Sequence, residues 1–382
     1  MSKRVFITVA EVSGDQHAAE LIRSLKHLDP EIIIEGFGGP QMAAAGANIL
    51  HETTRKAAMT FHAVKRVFEV SRLLKQARQY YRDNKPDLQI CVDSSGMNLH
   101  FARAAKEEGI KVLYYIAPQL WASREGRMKK VIKYVDHVAC ILPFEEQYYR
   151  SHGATATFVG HPLFDELPAD RSRAPGARFP DAPPIIGIIP GSRKSEVKAN
   201  FPHLLDVADR ILTEFPEARF NIPTTTAGEP VVMDLVTKRG RSSFSVKRNA
   251  FDELVAPCDL CITKSGTSTL HVAAWNVPMI VVYRLSPLVW HLAGRWLVKT
   301  KKIALVNILA GQVDLIPEFI PWYGSNQPVA DCAIDLLKHP EKLAAQREKL
   351  AALVATLDKP GASMNTARLA MQLMNASAKD KT

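Results

Sequence analysis

The chain has 382 residues, 47% of them apolar, which is enough for two domains with cores of their own and excludes a small disulfide-stapled scaffold. Its five cysteines, Cys91, Cys140, Cys258, Cys261 and Cys332, are an odd number without a framework spacing, so a reducing, cytoplasmic setting is expected. Lys and Arg number 49 against 39 Asp and Glu, and the resulting +10 suits an anionic partner: nucleic acid, a phosphorylated metabolite or acidic lipid.

The amino terminus, MSKRVFITVAEVSGD, starts basic, but its apolar run before Glu11 is too short for a signal segment. Nothing later reaches the roughly 18 consecutive apolar residues of a membrane span, so a soluble or surface-attached protein is expected. Short apolar runs then alternate with polar segments of helical period: RVFITVA, IIIEGFGG, LQICVD, KVLYYIA, HVACILP and TATFVG. One intervening helix is EVSRLLKQARQYYRDNK, closed by Pro86. Runs rich in Val and Ile, spaced by helices, predict a parallel sheet covered on both faces.

At residues 167–184 the composition changes. LPADRSRAPGARFPDAPP holds five prolines and no apolar periodicity, which reads as a linker. The pattern restarts with IIGIIPG, RFNIPT, LCITK and PMIVVYR. The expected fold class is therefore α/β, with two doubly wound, Rossmann-like domains facing a central cleft. Their expected bounds are residues 1–167 and 185–355, with 356–382 as a carboxyl-terminal helix and tail. Within that tail, NASAKDKT reads as disordered. The CxxC of Cys258 and Cys261 lacks a second pair and falls in a strand-like run, which favours packing over metal or redox use.

Ligands of open α/β sheets lie at the carboxyl ends of strands, so strand-end motifs carry the functional expectation. In IIPGSRKSEV, residues Gly191, Ser192 and Arg193 occupy a turn from strand to helix. The helix after it is expected to bury Leu204, Ala208, Ile211, Leu212 and Phe215 on one face. Free amides and a planar guanidinium there suit phosphate, while a plain turn with Arg193 paired to Glu196 is the alternative. In ITKSGTSTLHVAAW, residues Ser265, Gly266, Thr267, Ser268 and Thr269 open another helix, as ligand donors or as a simple cap. VAEVSGDQHAAELI has the same form, but Glu11 and Asp15 are unwelcoming to phosphate, so Ser13, Gly14 and their neighbours suit the hydroxyls of an acceptor, or cap the helix. Asp93, at the end of LQICVD, suits a general base if partly desolvated, or is satisfied by Ser94 and Ser95.

Two stretches are basic and aromatic. YYIAPQLWASREGRMKK lacks the repeated stacking platforms of single-strand binders, and a solvated basic helix is the expectation. LVWHLAGRWLVKTKKIALVNILAG joins Trp290, Leu292, Trp296, Leu297 and Val298 to His291, Arg295, Lys299, Lys301 and Lys302, which fits an interfacial segment on an anionic membrane or a core face with a charged rim.

Taken in order, EVSGD, GFGGPQM, VDSSGMN, YYIAPQLWASREGR, LPFE, FVGHPL, PGSRKSEV, SGTSTLHVA, PMIVVYR, LVKTKKIALVNILAG and PEF resemble the lipid A disaccharide synthases, glycosyltransferases of the GT-B type. The likeness spans roughly residues 5–320. It implies an inverting transfer of 2,3-diacylglucosamine from UDP to 2,3-diacylglucosamine 1-phosphate (lipid X), giving a β-1,6 disaccharide 1-phosphate and UDP. It also implies no metal and no cofactor, and peripheral work at the cytoplasmic face of the inner membrane. In that reading Gly191, Ser192, Arg193 and the Ser265–Thr269 turn hold the donor diphosphate. Asp93 is the base, and Glu11 with Asn307 positions substrates. The chain departs from the family pattern at His271, where a glutamate usually holds the ribose hydroxyls, at Gly96, where a second aspartate is usual, and at Ala10, where a glycine is common.

Other functions fit parts of the pattern: another UDP-sugar GT-B enzyme, such as a transferase for a peptidoglycan lipid precursor or an epimerase, and a non-catalytic binder of glycolipid or nucleotide. Nucleic-acid binding fits least, because the cations are dispersed and no known module is present. The apolar carboxyl-terminal helices could pair in a homodimer.

Overall fold

A computed structural model describes residues 2–54, 63–168, 182–284 and 300–379. The chain divides into two compact units, Met1–Leu167 with Leu357–Thr382, and Pro168–Thr356. Most of the expected linker, 169–181, lies outside the described residues.

The first unit is built on seven parallel strands: β1 (Arg4–Thr8), β2 (Ile33–Gly38), β3 (Asn48–Glu52), β4 (Leu88–Val92), β5 (Lys111–Tyr115), β6 (His137–Cys140) and β7 (Ala156–Phe158). Their order is β3-β2-β1-β4-β5-β6-β7. Central strands are buried almost end to end, because helices cover the sheet; that is why they read as unbroken Val, Ile, Leu and Tyr. Phe6 of β1 packs against Phe37, Tyr80 and Tyr81 with ring centroids 5.2, 4.6 and 5.4 Å apart, joining the sheet to the helix Ala63–Asn84.

The helix Ala362–Lys379 also belongs to this unit, packing on the helix Val12–Leu28 and on β5. Its start is held by Asp165, whose carboxylate accepts the amides of Gly361, Ala362 and Ser363 at 2.5, 3.1 and 2.9 Å. Gly160, with φ of +100°, leaves room for this approach: a Cβ there would lie 2.9 Å from the Lys359 carbonyl oxygen. The helix runs to Lys379, so most of NASAKDKT is helical and not a disordered tail. Its alanines simply extend a helix already docked.

The second unit carries β8 (Ile185–Ile189), β9 (Arg219–Thr224), β10 (Phe244–Arg248), β11 (Leu260–Lys264), β12 (Met279–Arg284) and β13 (Glu318–Trp322), all parallel, in the order β10-β9-β8-β11-β12-β13. The helix Lys194–Glu214 buries Leu204, Ala208, Ile211 and Leu212 as their spacing predicts. It begins directly after Arg193 and continues through Pro202, which forgoes one backbone hydrogen bond. Cys258 and Cys261 are buried packing residues: a Cβ on Gly187 would fall 2.4 Å from the Cys261 sulfur and 3.3 Å from that of Cys258.

Both sheets reverse their strand order beside their first strand. The reversal falls between β1 and β4 in one and between β8 and β11 in the other, which makes each pair a topological switch point.

Candidate active site

At the first switch point β1 and β4 run side by side, with Thr8 opposite Cys91. Glu11 takes the N-cap position of the helix Val12–Leu28, and Ser13 is exposed in its first turn without capping it. Gly14 is buried, and a Cβ there would lie 3.0 Å from Val9 Cγ1 and 3.9 Å from the Asp93 Cβ. Its missing side chain lets this turn close on the end of β4, so Glu11, Ser13, Gly14 and Asp93 come from one neighbourhood. Asp15 instead works inward. It is 1% exposed and accepts the amides of Gly39, Gln41 and Met42 at 2.9, 3.0 and 3.2 Å, capping the helix Pro40–Ala44 and accounting for GFGGPQM.

Asp93 and Ser94 have φ of +53° and +42°, a left-handed conformation that costs on the order of 1–3 kcal/mol for each non-glycine residue. Buried hydrogen bonds hold it. The Asp93 carbonyl accepts from Asn98 Nδ2 and from the Tyr114 hydroxyl, both at 2.8 Å, and its amide donates to the Tyr115 carbonyl at 3.0 Å. Asn98 Oδ1 in turn accepts from the Thr8 hydroxyl at 2.8 Å; Thr8 accepts from Gln89 at 2.9 Å, and Gln89 from Tyr81 at 2.8 Å. This chain of buried partners fixes the backbone of Asp93 while its side chain sits half-exposed at the strand end. Arg127 reaches the same place from the segment after β5, donating from Nη1 to Ser95 Oγ at 2.8 Å. Gly96, two residues into the helix Ser95–Glu107's first turn, has no atom within 4 Å of a would-be Cβ, so a side chain would fit there.

The second switch point sets the turn after β8 beside the turn after β11. Gly191 has φ of +123°, and a Cβ there would lie 2.7 Å from Glu196 Oε2. Arg193 is the N-cap residue; its Nη1 lies 3.4 Å from Glu196 Oε1, so the pairing foreseen from sequence exists, yet the side chain is 62% exposed. Ser192 is exposed, its carbonyl accepting from Thr225 Oγ1 at 2.8 Å. After β11, Gly266 has φ of +153°. Thr269 turns its hydroxyl back to the Gly266 carbonyl at 2.8 Å, and Ser268 turns its own to Thr263 and the Lys264 carbonyl, each at 3.2 Å. The hydroxyls of Ser265 and Thr267 take no partner among the described residues, and Thr267 is exposed. Lys264, which sequence reasoning passed over, places Nζ 3.1 Å from Glu196 Oε1.

His271 is stacked on Phe251 at 4.2 Å, with Nε2 2.7 Å from Asp252 Oδ1. Trp275 Nε1 donates to the same oxygen at 2.5 Å. Burial pushes the Asp252 carboxyl up, but the bonds from His271 and Trp275 prevail and hold it below its ordinary value. A carboxylate therefore stands beside His271, supplied by the helix Phe251–Val255.

Asn307 is fully buried, and its amide is used inside the chain. Nδ2 donates to the Ile316 carbonyl at 3.0 Å and to Glu318 Oε2 at 3.1 Å, while Oδ1 accepts the Ile316 amide at 3.0 Å. Glu318 also accepts the Ala304 amide at 3.0 Å. Any effect of Asn307 on a substrate thus passes through the segment that it holds. Of the basic and tryptophan-bearing stretch, residues 285–299 lie outside the described residues; Lys302 pairs with Asp314. Trp121, in the other such stretch, donates to Glu145 Oε1 at 2.9 Å and packs on Phe144. Among the described residues no helix is long and apolar enough to cross a membrane.

The family model described as lipid-A-disaccharide synthetase matches residues 5–372. The lipid-A-disaccharide synthase of Nitrosococcus oceani is 36% identical over 374 residues, covering 97% of this chain and 96% of that protein. Among solved structures, the S. aureus MnaA-UDP co-structure aligns with a TM-score of 0.62 at 12% identity, covering 95% of this chain and 94% of the other. Acinetobacter baumannii MurG aligns at 0.57 and 14% identity, covering 97% and 99%. These two likenesses show the GT-B fold, and the match over residues 5–372 shows more: the chain belongs to the lipid-A-disaccharide synthetase family of glycosyltransferases.

Proposed function

We propose that this glycosyltransferase transfers 2,3-diacylglucosamine from UDP to the 6-hydroxyl of 2,3-diacylglucosamine 1-phosphate with inversion, releasing UDP. The observation that carries the reading is that each sheet gathers its strand-end motifs at its own switch point: Glu11, Gly14 and Asp93 in one, Gly191–Arg193 and Ser265–Thr269 in the other. The acidic group suits a hydroxyl acceptor, and the group rich in amides, hydroxyls and cations suits a diphosphate.

In this mechanism Asp93 accepts the proton of the acceptor hydroxyl as its oxygen bonds to the sugar C1, and the bond from C1 to the diphosphate breaks. Half-exposure and a fixed backbone let a carboxylate serve as base without reorganising. Glu11 orients the acceptor, with Ser13 and Gly14 lining its approach. Charge that develops on the leaving diphosphate is met by the Gly191 and Ser192 amides, Arg193, and the Ser265 and Thr267 hydroxyls. His271 and Asp252 together offer a donor and an acceptor to the ribose hydroxyls. Both substrates carry acyl chains, and the segment with Trp290 and Trp296 supports peripheral attachment at an anionic membrane face.

The test is purified protein with UDP-2,3-diacylglucosamine and 2,3-diacylglucosamine 1-phosphate, without added metal, followed by UDP release and by mass spectrometry of the lipid. The parent should form the disaccharide 1-phosphate, and Asp93→Asn should lose about 100-fold or more in kcat, as removal of a general base does. Absence of product from a folded parent that still binds either lipid would overturn the reading.

A further inference from the structure

The turn after β11 holds a charged group that the motifs do not account for. Lys264 is the last residue of β11, and its side chain is only 16% exposed. An ammonium so enclosed has lost much of the water that would solvate it and needs acceptors in its place. Its Nζ lies 3.1 Å from Glu196 Oε1 and 5.1 Å from the centroid of the Tyr283 ring, and a Cβ on Gly266 would fall 3.6 Å from it. The ammonium therefore lies close against the Ser265–Thr269 turn, to which the donor reading assigns the diphosphate.

Glu196 comes from the opposite side of the switch point. It is 14% exposed and touches Arg193 as well as Lys264, so one carboxylate is shared by two cations. Burial pushes the Glu196 carboxyl up, yet the charge of Lys264 and its hydrogen bond prevail and keep it ionised. The group keeps one net positive charge at the meeting of the two turns. An ammonium has three donors, and among the described residues Glu196 is the one acceptor that Lys264 has.

We propose that Lys264 is a substrate-binding cation of this site, which grips the diphosphate of a nucleoside diphosphate together with Arg193, and that Glu196 is the positioning residue that aims both. The proposal rests on the donor reading of the second switch point and assigns it a contact that the strand-end motifs leave out. The ion pair also ties the turn after β8 to the turn after β11, so the two halves of the phosphate cradle are held in register before the ligand arrives.

The test measures binding of UDP and of UMP by calorimetry to the parent, to Lys264→Met, to Lys264→Arg and to the double variant Lys264→Met with Glu196→Gln, each checked for folding by thermal melting. Lys264→Met should weaken UDP about tenfold or more and UMP much less, because the second phosphate loses its cation. Lys264→Arg should restore most of the affinity. The double variant removes the stranded carboxylate and secures folding if Lys264→Met alone melts early, and its UDP affinity should stay low. Recovery of parent-like UDP binding in the double variant would make the pair purely structural and overturn the proposal, as would equal losses for UDP and UMP. Failure of the synthase reading shows separately, as a parent that binds UDP but forms no disaccharide.

Discussion

Glu145 shows how a family motif can be chemical scaffolding. It sits in LPFE, fully buried, and its carboxylate accepts from Trp121 Nε1 at 2.9 Å and from the Leu142 amide at 3.1 Å. Burial outweighs these bonds and pushes its pKa up to about 7 from an ordinary 4.5. The folded protein thus retains a proton that the unfolded chain releases near pH 4.5. This contribution to stability is complete below that pH and is lost as pH rises through about 7, and a shift of that size is worth about 3 kcal/mol. Glu145→Gln keeps an acceptor for Trp121 and removes the titration, so denaturant unfolding between pH 4.5 and 7 should show a flatter slope than the parent. An unchanged slope would assign the dependence elsewhere. The same scale explains what sequence left unread at the site. Gly191, Arg193 and Asp93 announce themselves at strand ends, whereas Arg127 and, although it too ends a strand, Lys264 are tied to partners 32 and 68 residues away, Ser95 and Glu196, which no local pattern reveals. Asn307 illustrates the complementary case: a motif asparagine looks the same in sequence whether its amide faces a ligand or, as here, holds Ile316 and Glu318 and so the segment around them.

At the scale of elements, legibility followed burial. Ten strands read as apolar runs, but β3, β10 and β13 did not, and each is an edge strand with a half-exposed pattern in NILHE, FSVKR and EFIPW. A strand that pairs on one side only and stays half-exposed needs no continuous run of Val and Ile. The carboxyl-terminal helix was legible as a helix, but its partner was not, because the tie runs through Asp165, some 196 residues before the Gly361 amide. Three amides fall on that one carboxylate, which also complements the positive end of the helix. Asp165→Ala should cost about 1–2 kcal/mol, as loss of a strong N-cap does. Hydrogen exchange should rise first in the opening turns of Ala362–Lys379, while amides of β8 and β11 keep their protection. Exchange unaltered in that helix would show that its packing on Val12–Leu28 and β5, and not the cap, sets its local stability.

At the scale of the molecule, the proposed reaction brings acylated substrates to a chain with +10 net charge and, among the described residues, no membrane-spanning helix. Two forces could bring it to them. Dispersed positive charge would draw it to any anionic surface, weakly and with full sensitivity to salt. An inserted aromatic would add an apolar contribution that salt leaves in place. The composition of LVWHLAGRWLVKTKK supplies both, through Trp290 and Trp296 among Arg295, Lys299, Lys301 and Lys302. Sedimentation with vesicles separates them. The parent should bind vesicles containing anionic phospholipid, lose about tenfold in partitioning from low to high salt, and keep a residual that neutral vesicles also show. Replacing Trp290 and Trp296 together by serine should remove that residual and leave the salt-sensitive part. If the double variant binds as the parent does at high salt, the tryptophans are not a membrane contact, and the segment is a core face with a charged rim.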